Sequence, residues 1–238
     1  VIINDGDYTL KAKNNALMAS LTQRETDPFI TINGGTLSIS AWAKGIVSAS
    51  IVTFSNAYIN VNSIETGVQG SKGIYINKGR YLLESTSGNT LESEQSFTLT
   101  AGRTFLRSRG SQTPINVPAT GTFEITGGTL IATGGKPQQK ASLKEGSQPA
   151  FVFFKNFTAQ TLLHLREGER EVFTYRTPIS IAYLLFTSEK LQANKKYHFY
   201  KGGIIREGQE ENNLYHSGWY SKPDSLVTYF TTNKTVNP

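Results

Sequence analysis

Cysteine is missing from all 238 residues. That excludes a disulfide scaffold, thiolate metal sites and a cysteine nucleophile, and leaves the compartment open. Long hydrophobic runs are missing too. No apolar stretch approaches the roughly 18–20 residues that span a bilayer, so no membrane-spanning segment is expected. The chain carries 24 Lys and Arg against 18 Asp and Glu, a formal charge of +6. These cations are scattered, with no run of the kind that tracks phosphates, so nucleic acid is not an expected partner. Aspartate does not occur between Asp27 and Asp224. The histidines, His164, His198 and His216, lack any ligand spacing, and His164 and His198 sit in strand-like runs where a structural role is expected. No Gly-rich phosphate loop is present, because the paired glycines do not lie in strand-to-helix turns. No signal-peptide pattern is read within the sequence, and Val1 falls inside a strand-like pattern. The expectation is a secreted or cell-surface protein, monomeric, from which the signal has been removed.

What is present is a repeat. "ITINGGTLSIS" (30–40) returns as "FEITGGTLIAT" (123–133), and with altered glycines as "IYINKGRYLLE" (74–84) and "FTLTAGRTFLR" (97–107). Aligned on the second apolar residue, the anchors are Ile3, Ile32, Phe54, Ile76, Leu99 and Ile125, at spacings of 29, 22, 22, 23 and 26. Each has an apolar partner two residues before it. Three residues after it comes a small one: Gly6, Gly35, Ala57, Gly79, Gly102 or Gly128. A weaker element follows, read in "ALMAS", "GIVSA", "GVQGS", "TLESE" and "PINVP". Alternation with period two indicates strands, and the small residue marks a corner. Three short strands per lap, repeated, form one coil of a parallel β-helix. The spacing predicts about six rungs over residues 1–134, with like positions stacked in columns about 4.8 Å apart.

Three outward rows follow the corner. The first is Asp7, Thr36, Tyr58, Arg80, Arg103, Thr129; the second is Thr9, Ser38, Asn60, Leu82, Phe105, Ile131; the third is Lys11, Ser40, Asn62, Glu84, Arg107, Thr133. The second row turns apolar at Leu82, Phe105 and Ile131. An outward apolar patch is covered by something or binds something. Covered by the C-terminal segment, it leaves the arginines as ion-pair partners of Glu84 or of that segment. Left open, it is a sugar platform with Tyr58 and Phe105 as stacking faces and Arg80, Arg103 and Arg107 as forks for carboxylates. Trp42, in the turn after the second rung, is a further stacking candidate, or else packs against neighbouring rungs.

After residue 134 the period fades. Residues 135–149 read as a linker, and 150–238 as short strands joined by turns, hence an antiparallel β cap packed on the helix. A β-helix end has unpaired backbone that needs such a cover. Trp219 and Tyr220 lie in the turn-rich tail, as sugar contacts or, more simply, as anchors for it.

The rungs "ITINGGTLSI", "FEITGGTLIA" and "KGIVSAS", followed by "QPAFVFF…AYLLFTSEKLQANKKYHFYKGG" and "YHSGWYS…YFTTNKTV", resemble the bacterial secreted carbohydrate-binding domain-containing family with a pectate-lyase-like right-handed parallel β-helix. The resemblance implies a non-catalytic protein that binds polysaccharide, of acidic, pectic type, and it suggests calcium held by carboxylates in turns. Asp-rich turns are absent here, so only Glu65, Glu84, Glu92, Glu94 and backbone carbonyls could supply a weak calcium site, and no cofactor is expected. Glycoside hydrolysis needs two carboxylates across a scissile bond; Glu92, Glu94 and Glu84 are the candidates, but exposed neighbouring glutamates are ordinarily solvated surface. The expected function is polysaccharide binding. The alternatives are a surface structural or adhesive spacer and, further off, a lyase or hydrolase.

Overall fold

A computed structural model describes residues 1–21, 27–137, 142–221, 226–231 and 236–237. Parts of the expected linker (138–141) and of the C-terminal tail (222–225, 232–235 and 238) lie outside the described residues. The described residues are all-β, with strands and turns and no helix.

The anchors form one ladder. Ile3 pairs with Ile32, Ile32 with Phe54, Phe54 with Ile76, Ile76 with Leu99 and Leu99 with Ile125, every pairing parallel. Six stacked anchors therefore bound five full laps of a parallel β-solenoid. A second parallel sheet stacks Leu17, Ile46, Val68, Leu91 and Ile115, the weaker element of the repeat. The side chains of Ile32, Phe54, Ile76 and Leu99 are fully buried, within one core that runs through the coil. Alternation explains this, because residue i points inward and i+1 outward on each strand. Phe54 and Tyr81 stack inside the coil at 5.4 Å between ring centroids.

The corner works through backbone geometry. Gly35, Gly79, Gly102 and Gly128 have φ of 78°, 119°, 91° and 82°, in the left-handed range. At Gly79 a β-carbon would also come within 2.4 Å of the Ala57 carbonyl oxygen. Ala57 is the exception in the column. Its rung moves the left-handed turn to Asn56 (φ 57°), and the ladder to the next rung shifts register there. Asparagine tolerates that conformation where alanine does not.

Further along each lap, Ser63, Ser85 and Ser108 replace apolar residues in an interior column, and all are buried. Each hydroxyl donates to a turn carbonyl: Ser63 to Glu65, Ser85 to Gly88 and Ser108 to Thr113. The column thus fastens the second corner by satisfying buried carbonyls.

The last rung strand, Thr129–Gly134, does not leave an open edge. Tyr183–Thr187 pairs with it antiparallel, and Ala150–Phe153 pairs with Tyr183–Thr187 in turn. A separate antiparallel sheet places Leu162–Glu167 between Arg170–Arg176 and Lys196–Lys201. Its apolar side, which includes Phe173 and Phe199, packs with Phe105, Ile131, Phe151 and Phe186 in a second core. Covering by the C-terminal strands is therefore the outcome for the apolar part of the middle row, with Leu82 half-buried at its margin.

Candidate functional site

The outward rows are registered as the repeat implies. Thr36, Tyr58, Arg80, Arg103 and Thr129 are sequential partners, as are Ser38, Asn60, Leu82, Phe105 and Ile131. What divides the face is the cap. It covers the later rungs and stops over the fourth, so the polar early rungs remain open beside the cap's margin.

That margin is a hairpin. Glu210–Glu211 pairs with Leu214–Tyr215 through a two-residue turn, Asn212-Asn213, with φ of 49° and 69°. Two consecutive left-handed residues define the type I′ turn that matches strand twist, and asparagine is among the few residues suited to it. The turn carries three groups onto the solenoid. Glu211 accepts from the Arg103 guanidinium, lies 3.6 Å from Arg80 and 3.1 Å from His216 Nε2. The Asn212 carbonyl and Asn213 Oδ1 each accept from Arg107 Nη2 at 2.8 Å. Burial works to raise the Glu211 carboxyl, but the Arg103 hydrogen bond and charge, with His216 and Arg80, outweigh it and hold the group below its ordinary value.

Between this hairpin and the open rungs lies a groove of about 330 Å³, lined by Ser38, Tyr58, Asn60, Arg80, Glu211 and Asn212 among others. Tyr58 is 52% exposed, with the Arg80 guanidinium 5.4 Å from its ring centroid. Beneath them, Tyr81 is buried and its hydroxyl donates to the Lys78 carbonyl, which fixes the strand that carries Arg80. The site therefore offers an aromatic face, a cation, a carboxylate and amide and hydroxyl groups on rigid strands. These are the elements that hold a polar ring-shaped ligand: stacking from one side and forked hydrogen bonds at the edge.

The structure brings together Tyr58, Arg80 and, through Glu211, Arg103. It does not bring in the rest. Phe105 is 1% exposed and belongs to the second core, so its ring is not a platform for a ligand. Arg107 is buried and donates to Glu84 at 2.8 Å as well as to the hairpin, so its fork is taken. Both assignments as ligand-binding residues are corrected by the same cause: the cap lies on that stretch of the face. Trp42 stands apart from the groove, at 68% exposure. In the tail, Tyr220 stacks on His164 with centroids 3.6 Å apart, whereas Trp219 is 79% exposed on the short ribbon formed with Ile204–Arg206. Glu211 and Asn212 went unnoticed in the sequence; the Asn-Asn pair in "EENNLY" is the turn signal that locates them.

The glutamates considered for calcium or hydrolysis differ in their surroundings. Glu84 is paired with Arg107, Glu92 accepts from Thr66 and Asn89, and Glu65 and Glu94 are exposed. Among the described residues no three His, Asp or Glu side chains converge as a metal site.

The described residues thus form a parallel β-solenoid with one polar, partly open face beside an exposed aromatic side chain. A family model described as carbohydrate-binding domain-containing protein matches residues 1–141, and the chain belongs to that family. No curated protein and no solved structure matches the chain.

Proposed function

We propose that this protein is a non-catalytic, exported binder of polysaccharide, and that the groove between the early rungs and the 210–215 hairpin is where the ligand lies. The observation that carries this reading is the exposed Tyr58 ring beside Arg80, Asn60 and Ser38 on adjacent rungs, within a family described by carbohydrate binding. The expected preference for acidic, pectic chains loses support from the geometry. Arg107 is committed to Glu84 and Arg103 to Glu211, and Arg80 shares Glu211. Hydroxyls rather than carboxylates are therefore the main recognition element.

Affinity electrophoresis against immobilised glucans, mannans, xylans, pectins and host glycans tests the reading. Retardation by at least one matrix, weakened in Tyr58→Ala and little changed by added salt, is the expected result. Silence on every matrix contradicts it. New reducing ends, or absorbance from an unsaturated uronide, would overturn the non-catalytic part. A stiff surface spacer is the second reading, favoured by the small Thr, Ser and Asn side chains of the open rows. Envelope fractions that capture the protein equally well with and without Tyr58 support it.

A further inference from the structure

Beyond the groove, the open face continues. Along Thr36–Ala41 the outward residues are Thr36, Ser38 and Ser40, and alternation makes Trp42 the next. The ladder still holds there, since the Trp42 N–H donates to Ala12 and the Ile64 N–H to Ala41, both at 3.0 Å. Trp42 and Ile64 thus stand on adjacent rungs at one end of the face, both exposed. Tyr58 and Arg80 stand on adjacent rungs at the other end. Between them run Ser38, Ser40, Asn60 and Asn62, whose side chains make no hydrogen bond to another described residue. Thr36 is in register with Tyr58, so Trp42 lies six residues further along, about 20 Å at the rise of a parallel strand.

We propose that this face is a single extended binding track, with Tyr58 and Trp42 as its two aromatic ends, for a linear, hydroxyl-rich, uncharged glycan that runs along the strands, across the solenoid axis. The inference rests on the polysaccharide reading and sharpens it to a chain length, an orientation and a charge class. A mono- or disaccharide reaches one aromatic end; a chain of several rings reaches both. The floor suits sugar hydroxyls because each free amide both donates and accepts, and each hydroxyl does the same. Charge points the same way. Arg103 and Arg107 are answered by Glu211 and Glu84, and the remaining cations beside the track, Arg80 sharing Glu211 at one end and Lys11 in register with Ser40, stand too far apart to draw a polyanion along the strand. Rigid strands fix the spacing between the ends, so no ordering of the protein opposes binding.

The test is a length series of β-1,4-linked glucan, mannan and xylan oligosaccharides, disaccharide to octasaccharide, titrated by calorimetry beside polygalacturonate fragments of the same lengths. Affinity for one uncharged series rises with length until both ends are engaged. Trp42→Ala then weakens the long members by about three- to tenfold, the range of one aromatic contact, and leaves the disaccharide unchanged, whereas Tyr58→Ala weakens both. Trp42 is exposed, so its removal leaves the melting temperature in place and the variant stays interpretable. A ligand that responds to Tyr58→Ala and ignores Trp42→Ala at every length overturns the track while the groove reading stands. Tighter binding of polygalacturonate than of every uncharged chain overturns the charge class. No binding by any probe overturns the track, and the polysaccharide reading falls with it only when the affinity matrices, host glycans included, are silent as well.

Discussion

His164 supplies the prediction with the clearest magnitude. It sits on Leu162–Glu167, 3% exposed, between Thr174 on one neighbouring strand and Tyr200 on the other, with Tyr220 stacked on its ring. The Thr174 hydroxyl donates to Glu171 at 2.7 Å, so its oxygen is left to accept from His164 Nδ1, also at 2.7 Å. The ring is thereby held neutral with its proton on Nδ1. Burial, and secondarily the Arg166 charge, push its pKa down from 6.5 to about 3. An unfolded His164 takes up a proton below pH 6.5 that the folded one refuses until about pH 3. Its contribution is therefore complete above pH 6.5 and is lost as pH falls, by about 1.4 kcal/mol for each pH unit. Between pH 6.5 and 5 the protein loses about 2 kcal/mol through this one group, or roughly 4–8 °C in Tm for a chain of this size. Urea denaturation across that range, for the wild type and for His164→Gln, measures it. The variant is less stable at neutral pH and shows a much shallower decline. Parallel declines in the two proteins, or an imidazole resonance assigned to His164 by its loss in His164→Gln and titrating near 6.5, refute the reasoning.

Other predictions follow from packing and turn geometry. Phe105→Ala removes a fully buried ring that joins the solenoid face to the cap and costs about 3–5 kcal/mol in thermal or chemical unfolding; a cost below about 1 kcal/mol would mean the cap does not rest there. Gly79→Ala destabilises more than Gly110→Ala. The first places a β-carbon 2.4 Å from the Ala57 oxygen, the second has nothing within 4 Å, and both residues have positive φ. At the hairpin, Asn212→Gly stays within about 0.5 kcal/mol of wild type, while Asn212→Val costs about 1–3 kcal/mol because φ there is positive. Comparing Tm for the two variants reads that difference directly.

The solenoid was legible because in-register parallel stacking puts residues one lap apart into contact. Any conflict between rungs then shows as a break in the column, and Ile32, Phe54, Ile76 and Leu99 show none. The corner was legible wherever glycine occupies it. At Ala57 the chain solves the same problem one residue earlier, with Asn56, and no alignment on small residues finds that. The cap's existence could be read from the fading period and the apolar switch at Leu82, Phe105 and Ile131. Its pairing could not, because antiparallel strands joined by unequal turns carry no repeat to fix their partners. The candidate site divides the same way. Tyr58, Arg80 and Asn60 lie on rows that the repeat numbers in advance. Glu211 reaches Arg103 across 108 residues, and a contact of that separation leaves no local pattern. The same long-range docking buried Phe105 and engaged Arg107, which the rows alone present as open.

Hydrogen–deuterium exchange of the full chain, with and without the polysaccharide that retains it, tests the central claim most directly. Binding on the open solenoid face predicts added protection in peptides covering 36–42 and 58–64, with the 210–215 hairpin following. Protection confined to the 204–206 and 219–221 ribbon that bears Trp219, with the rung peptides unchanged, contradicts it.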